Sequence, residues 1–89
     1  MIKFKIKIIN KLGLHARASA KLTQICSNYK SEIWVLFKEK KVNAKSIMGV
    51  MMLAASYGST VVFEIKGIDQ ESAKKDIINL IDNKFDELE

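Results

Sequence analysis

Residue types that commonly carry chemistry are scarce here: the 89-residue chain has one cysteine, one histidine and one arginine, and no proline. With Cys26 alone, no internal disulfide can form. His15 and Cys26, eleven positions apart, do not make a metal-ligand set, so neither a metal nor any other cofactor is expected. The apolar runs are too short to cross a bilayer. The opening MIKFKIKII does not read as a secretory leader, because lysine interrupts every second position and no small-residue cleavage site follows. A cytoplasmic protein without membrane insertion is the expectation. Fifteen Lys and Arg against 10 Asp and Glu leave a net charge of +5, spread as scattered lysines. Such a surface favours acidic protein partners and faster encounters with them. Nucleic acid is not among the expected partners: the chain lacks a Gly/aromatic RNA-recognition motif and an aromatic triplet on any one exposed strand.

What is present suits one compact domain over residues 1–89. At 48% hydrophobic residues, a chain of this length buries roughly 60 to 70% of its unfolded surface, enough for a core without staples. Ile2, Phe4, Ile6 and Ile8 alternate with Lys3, Lys5 and Lys7, the pattern of a strand with one wet face. From Ala16 to about Asn28, Ala18, Leu22, Ile25, Cys26 and Tyr29 recur at helical spacing. Glu32 to Lys38 is rich in β-branched and aromatic residues and reads as a strand. Lys38 to Lys41 suits a hairpin turn into a short strand around Val42 and Asn43. Ser46 opens a short helix that ends before Gly58, Thr60 to Lys66 is another strand, and Gly67 is a turn. A last helix starts near Asp69, with Ala73, Ile77, Leu80, Ile81 and Leu88 on one stripe. The order βαββαβα predicts an α+β fold, an antiparallel four-stranded sheet with three helices on one face.

Chemistry concentrates where the lone histidine and lone arginine meet, two apart in GLHARASAKL. Gly13 and Leu14 read as a turn leaving a strand, which sets His15 at a helix start. Unpaired amides and the positive end of the helix dipole converge there, a place suited to phosphate and unsuited to an imidazolium. A neutral His15 can attack an electrophilic phosphorus, and the planar fork of Arg17 can hold two phosphoryl oxygens. Phosphorylation on histidine is the expected chemistry. Ser19 reads as a helix-surface hydroxyl, and Cys26 as a small core residue.

Two blocks carry a resemblance. Asn10 to Leu22, NKLGLHARASAKL, resembles the active-site segment of HPr, the histidine-containing phosphocarrier of the bacterial phosphoenolpyruvate-dependent sugar phosphotransferase system. Lys45 to Val61, KSIMGVMMLAASYGSTV, is similar to that family's regulatory serine segment, at the family's spacing. The resemblance implies an open-faced β-sandwich that acts as a monomer. It also implies a relay: phosphorylated enzyme I loads a ring nitrogen of His15, Nδ1 in the family, and the phosphoryl group passes on to enzyme IIA domains. In that relay Arg17 and the N–H groups of Ala16 and Arg17 hold the transferring oxygens. Such a protein is a stoichiometric carrier, and calling it an enzyme is a matter of convention. The alternative it leaves open is a nitrogen-related regulatory relay with the same His15 chemistry. One departure is Ala18, where the family usually has proline after the arginine.

The second block has a physical reading of its own. A serine before an apolar helical run is an ordinary N-cap. The helix it opens is apolar nearly all round, so some of its side chains stay exposed as a partner interface, with Ile47, Met48 and Met51 the candidates. The resemblance makes Ser46 the target of a serine kinase/phosphorylase. Phosphate there sets about two negative charges in an apolar patch, weakening docking without unfolding.

Overall fold

The computed structural model describes residues 1–87. Period-two alternation decides the sheet. In β1 (Ile2–Lys7) the lysines face solvent, and in β2 (Glu32–Phe37) and β4 (Thr60–Lys66) Ile33, Val35, Val61, Phe63 and Ile65 are buried. With β3 (Lys40–Asn43), the sheet order is β1-β4-β2-β3 and every pairing is antiparallel. Phe4 lies opposite Phe63, their rings stacked with centroids 5.4 Å apart. Such a pair adds roughly 0.5–1.5 kcal/mol beyond the area it buries.

Helices α1 (Ala16–Ser27), α2 (Ile47–Met52) and α3 (Gln70–Asp82) cover the inward face. Ala18, Leu22 and Cys26 of α1 and Ala73, Ile77, Leu80 and Ile81 of α3 join the strand residues in one core. The architecture is the expected one, and its local boundaries are now fixed. Lys38 alone of its cluster takes a left-handed backbone (φ 57°), so the turn is Lys38–Glu39 while Lys40 and Lys41 pair within β3. Helix α2 stops at Met52, well short of Gly58. Leu53 and Ala55 are both buried, a two-residue spacing that one helical face cannot serve, and Ala54 breaks the helix at φ 54°. The α3 stripe holds Ala73, Ile77, Leu80 and Ile81 as expected, and Leu88 lies outside the described residues.

Burial pushes the Cys26 thiol up to about 12, against the pull of Lys45, which leaves it inert at neutral pH. Asp69 precedes α3 without capping it through its side chain. Its carboxylate instead accepts from the Ser31 hydroxyl, from the Lys30 amide at 2.8 Å and from the Ser31 amide at 3.0 Å, which holds it below the usual carboxylate range. That cluster pins the start of α3 to the start of β2.

Candidate functional site

Leaving β1, the chain turns on Asn10 and Gly13. The Gly13 amide donates to the Asn10 carbonyl at 3.1 Å, and Asn10 Nδ2 donates back to the Gly13 carbonyl at 2.8 Å. Gly13 has φ +68°, and a Cβ there would lie 2.7 Å from the Ala55 carbonyl oxygen and 2.8 Å from Ser56 Cα. This close approach allows the Leu14 amide to donate to Ala55 at 2.9 Å. The loop entering α1 is thereby fastened to the loop leaving α2, and the two sequence blocks become one surface.

His15 is the N-cap residue of α1, with an extended backbone (φ −75°, ψ −179°). The first helical bond runs from the Ser19 amide to the His15 carbonyl at 2.8 Å, so the amides of Ala16, Arg17 and Ala18 have no carbonyl one turn earlier. Ser19 corrects the surface reading: it is fully buried, and its hydroxyl donates to the Leu14 carbonyl at 3.1 Å, bracing the entry to the helix. Helical spacing alone put Ser19 outside, but the returning loop covers that flank. The His15 side chain is 28% exposed, and Arg17 is exposed beside it. Both line an open depression of about 890 Å³, whose walls include Lys11, Leu12 and Lys21. Three basic residues against Asp86 and Glu87 give that hollow a net positive lining.

Glu87 is what the sequence reasoning missed. Its Oε2 meets His15 Nε2, and its Oε1 accepts from Asn10 Nδ2 at 3.0 Å. Burial works against the Glu87 charge, but hydrogen bonds from Asn10 and His15 prevail and hold its carboxyl below its ordinary value. The stability linked to that charge is present above the ordinary glutamate range and is lost as pH falls through the depressed value. The segment arrives through a turn at Lys84–Asp86 whose three residues all have positive φ (56°, 55° and 62°). Phe85 is fully buried, and Lys21 Nζ donates to its carbonyl at 2.7 Å. This carboxylate reaches the ring from 72 residues away, so no local pattern around His15 announces it.

In the second block, Ser46 caps α2, its hydroxyl accepting from the Gly49 amide at 3.1 Å. Val50 is buried, whereas Ile47, Met48 and Met51 are exposed, as are Met52 and Leu12, which the sequence reading did not single out. Leu12 lies in the depression with His15. Among the described residues no group of three or more His, Cys, Asp or Glu could hold a metal ion, and no helix is long and apolar enough to cross a membrane.

The family model described as "PTS HPr component phosphorylation site" matches residues 2–83. The chain belongs to the HPr family. The phosphocarrier protein HPr of Neisseria meningitidis is 52% identical over 87 residues, 98% of each chain. A crystal structure of HPr from Thermoanaerobacter tengcongensis superposes with a TM-score of 0.94 at 48% identity, again over 98% of both chains. The phosphocarrier protein NPr of Shewanella violacea is 43% identical over 83 residues, 93% of this chain and 91% of the relative. Membership makes the chain a phosphocarrier-type component of the phosphotransferase system, on the four-stranded HPr fold.

The HPr framework also gives Ala18 a test. The amide of Ala18 precedes the first helical bond, so proline at this position would sacrifice no helical partner. Ala18→Pro is expected to change stability by no more than about 1 kcal/mol and to leave phosphotransfer within a few-fold. Urea denaturation and transfer rates measured together check this. A large loss of transfer in a folded variant would show that the entry to α1 departs from the family geometry.

Proposed function

We propose that this chain, a single domain acting as a cytoplasmic monomer, accepts a phosphoryl group from phosphorylated enzyme I on Nδ1 of His15 and passes it to a histidine of enzyme IIA domains. The observation that carries this reading is the meeting of the ring, the leading amides of α1 and the Arg17 fork at one positively lined depression. Arg17 and the amides of Ala16 and Arg17 neutralise the transferring oxygens, and catalysis is positioning plus charge stabilisation in the docked complex. Incubation with enzyme I and phosphoenolpyruvate tests it. The expected product is one acid-labile, base-stable phosphate per chain, and a chain left unlabelled would overturn the reading.

A second reading, the nitrogen-related regulatory relay, draws on the NPr relative. Offering the phosphorylated chain separately to sugar-branch and nitrogen-branch IIA domains distinguishes the two by relative transfer rate. The higher identity to an HPr favours the sugar branch.

The exposed flank of α2 serves in this reading as the docking surface, and Ser46, modified by a serine kinase/phosphorylase, as its switch. Ser46→Asp is expected to keep the cap and to slow transfer from enzyme I by at least about tenfold, equivalent to roughly 1.4 kcal/mol. Ser46→Ala removes only a cap worth about 1 kcal/mol and leaves transfer nearly unchanged. Met48→Glu imitates the aspartate. Rates at equal protein concentration, with circular dichroism as the control for folding, decide the matter. Wild-type transfer by both Ser46→Asp and Met48→Glu would remove α2 from the docking surface.

A further inference from the structure

Beside the His15 ring stands a relay of contacts that phosphoryl binding by itself does not require. Asn10 is fully buried, and its Nδ2 makes two hydrogen bonds, to the Gly13 carbonyl at 2.8 Å and to Glu87 Oε1 at 3.0 Å. Its Oδ1 has no partner among the described residues. The orientation of the amide is nevertheless fixed, because turning it over would aim an oxygen at a carbonyl oxygen and a carboxylate together. With one oxygen held in this way, the Glu87 carboxylate can present only the other, Oε2, to His15 Nε2. Four tethers hold the arrangement: the Asn10–Gly13 turn, the buried Phe85 ring, the Lys21 bond to the Phe85 carbonyl and the Asn10 bond itself.

We infer that Glu87, steered by Asn10, is a positioning residue for His15: it holds the ring in the Nε2–H tautomer and so leaves the Nδ1 lone pair free to attack phosphorus. The inference rests on the phosphocarrier reading proposed above for its chemical step. A carboxylate accepts a hydrogen bond and cannot donate one, so the nitrogen facing Glu87 must carry the proton. The partner of one ring nitrogen thereby determines the state of the other. In the transfer the Nδ1 lone pair forms the new N–P bond as the P–N bond to the donor histidine breaks, and the donor nitrogen keeps that bonding pair. The Nε2 proton stays where it is throughout. The ring gains a positive charge, which Glu87 faces directly, and in the onward step the ring departs as neutral imidazole with Nδ1 again unprotonated. Glu87 therefore favours the loaded ring and returns it to the same tautomer on unloading, without touching the phosphoryl group.

The test reads the tautomer directly and does not depend on transfer. Long-range proton–nitrogen NMR on the uniformly ¹⁵N-labelled chain, at a pH where the ring is neutral, is expected to show wild-type His15 with hydrogen on Nε2 alone. Glu87→Gln, whose amide can donate as well as accept, is expected to give a mixture of tautomers. It should also slow transfer from enzyme I by on the order of tenfold and shift the pH profile. Asn10→Ala is expected to act in the same direction through the loosened carboxylate. If that buried substitution prevents folding, Glu87→Gln decides alone. An unchanged Nε2–H tautomer together with wild-type transfer in folded Glu87→Gln would overturn the inference. A wild-type chain that shows the expected tautomer, altered by Glu87→Gln, yet takes no phosphate from enzyme I would sink the phosphocarrier reading and leave the positioning role standing.

Discussion

Substituting His15 with alanine is expected to abolish phosphoryl acceptance from enzyme I altogether, with the fold retained. No second imidazole exists to take over, since His15 is the only histidine of the chain. Its side chain is partly exposed and its helix bonds are made by backbone, so the chain should stay folded, losing mainly the contact with Glu87. Arg17→Ala removes the fork from the transferring oxygens and should slow transfer by about 10²-fold, the scale seen when one pre-aimed donor is lost. Arg17→Lys restores charge without the paired donors and should recover only part of the rate. Rapid-quench labelling with phosphorylated enzyme I checks the series. Normal labelling of folded His15→Ala would refute the assignment of the carrier residue.

Phe85→Ala should have the largest effect on stability, a loss of about 3 kcal/mol, toward the low end of the range of about 3–5 kcal/mol typical of burying and then deleting an aromatic ring. The lower figure follows from the backbone around it. Lys84, Phe85 and Asp86 all occupy left-handed conformations, each costing about 1–2 kcal/mol for a residue with a Cβ. The buried ring and its carbonyl bond to Lys21 help hold that run in place, with the Asp86 and Glu87 amides donating to the Asn83 and Lys84 carbonyls at 2.9 Å each. Once the ring is gone the run relaxes and recovers part of its strain. For a chain of this size the transition midpoint should fall by roughly 12–24 °C. Phe85→Leu fills most of the volume and should cost appreciably less. Thermal unfolding of both variants measures the difference, and equal midpoints for Phe85→Ala and wild type would show that the ring anchors nothing.

Much of the fold was legible because its signals are local. Lysine alternation marks β1, apolar spacing marks α1 and α3, and Ser46 before an apolar run marks an N-cap that the structure realises through Gly49. The end of α2 was legible only as lying before Gly58; its place at Met52 was not, because the burial of both Leu53 and Ala55 depends on what packs over them. Ser19 was misread for a related reason: its environment is made by the loop through Leu14, not by α1. At the candidate site, His15 and Arg17 announce themselves by scarcity and adjacency, while Asn10 offers only the faint signal of an Asn four residues before a turn glycine's neighbour. Nothing local marks Glu87. The turn that delivers it contains no glycine, so its three left-handed residues carry no sequence signature, and its contact with His15 exists only once the termini are brought together.

The position of β4 between β1 and β2 has a consequence for how the chain acquires its shape. Ile2 pairs with Ile65 and Lys7 with Thr60, so β1 has no partner until β4, the last of the four strands, has been made. The hairpin of β2 and β3 and the turns of α1 can form early, since their contacts are close in sequence, whereas joining β1 closes a loop of most of the chain and bears the entropy of doing so. During synthesis Ile2, Phe4 and Ile6 therefore wait without a sheet to enter, and the lysines interleaved with them are what keep that waiting strand in solution.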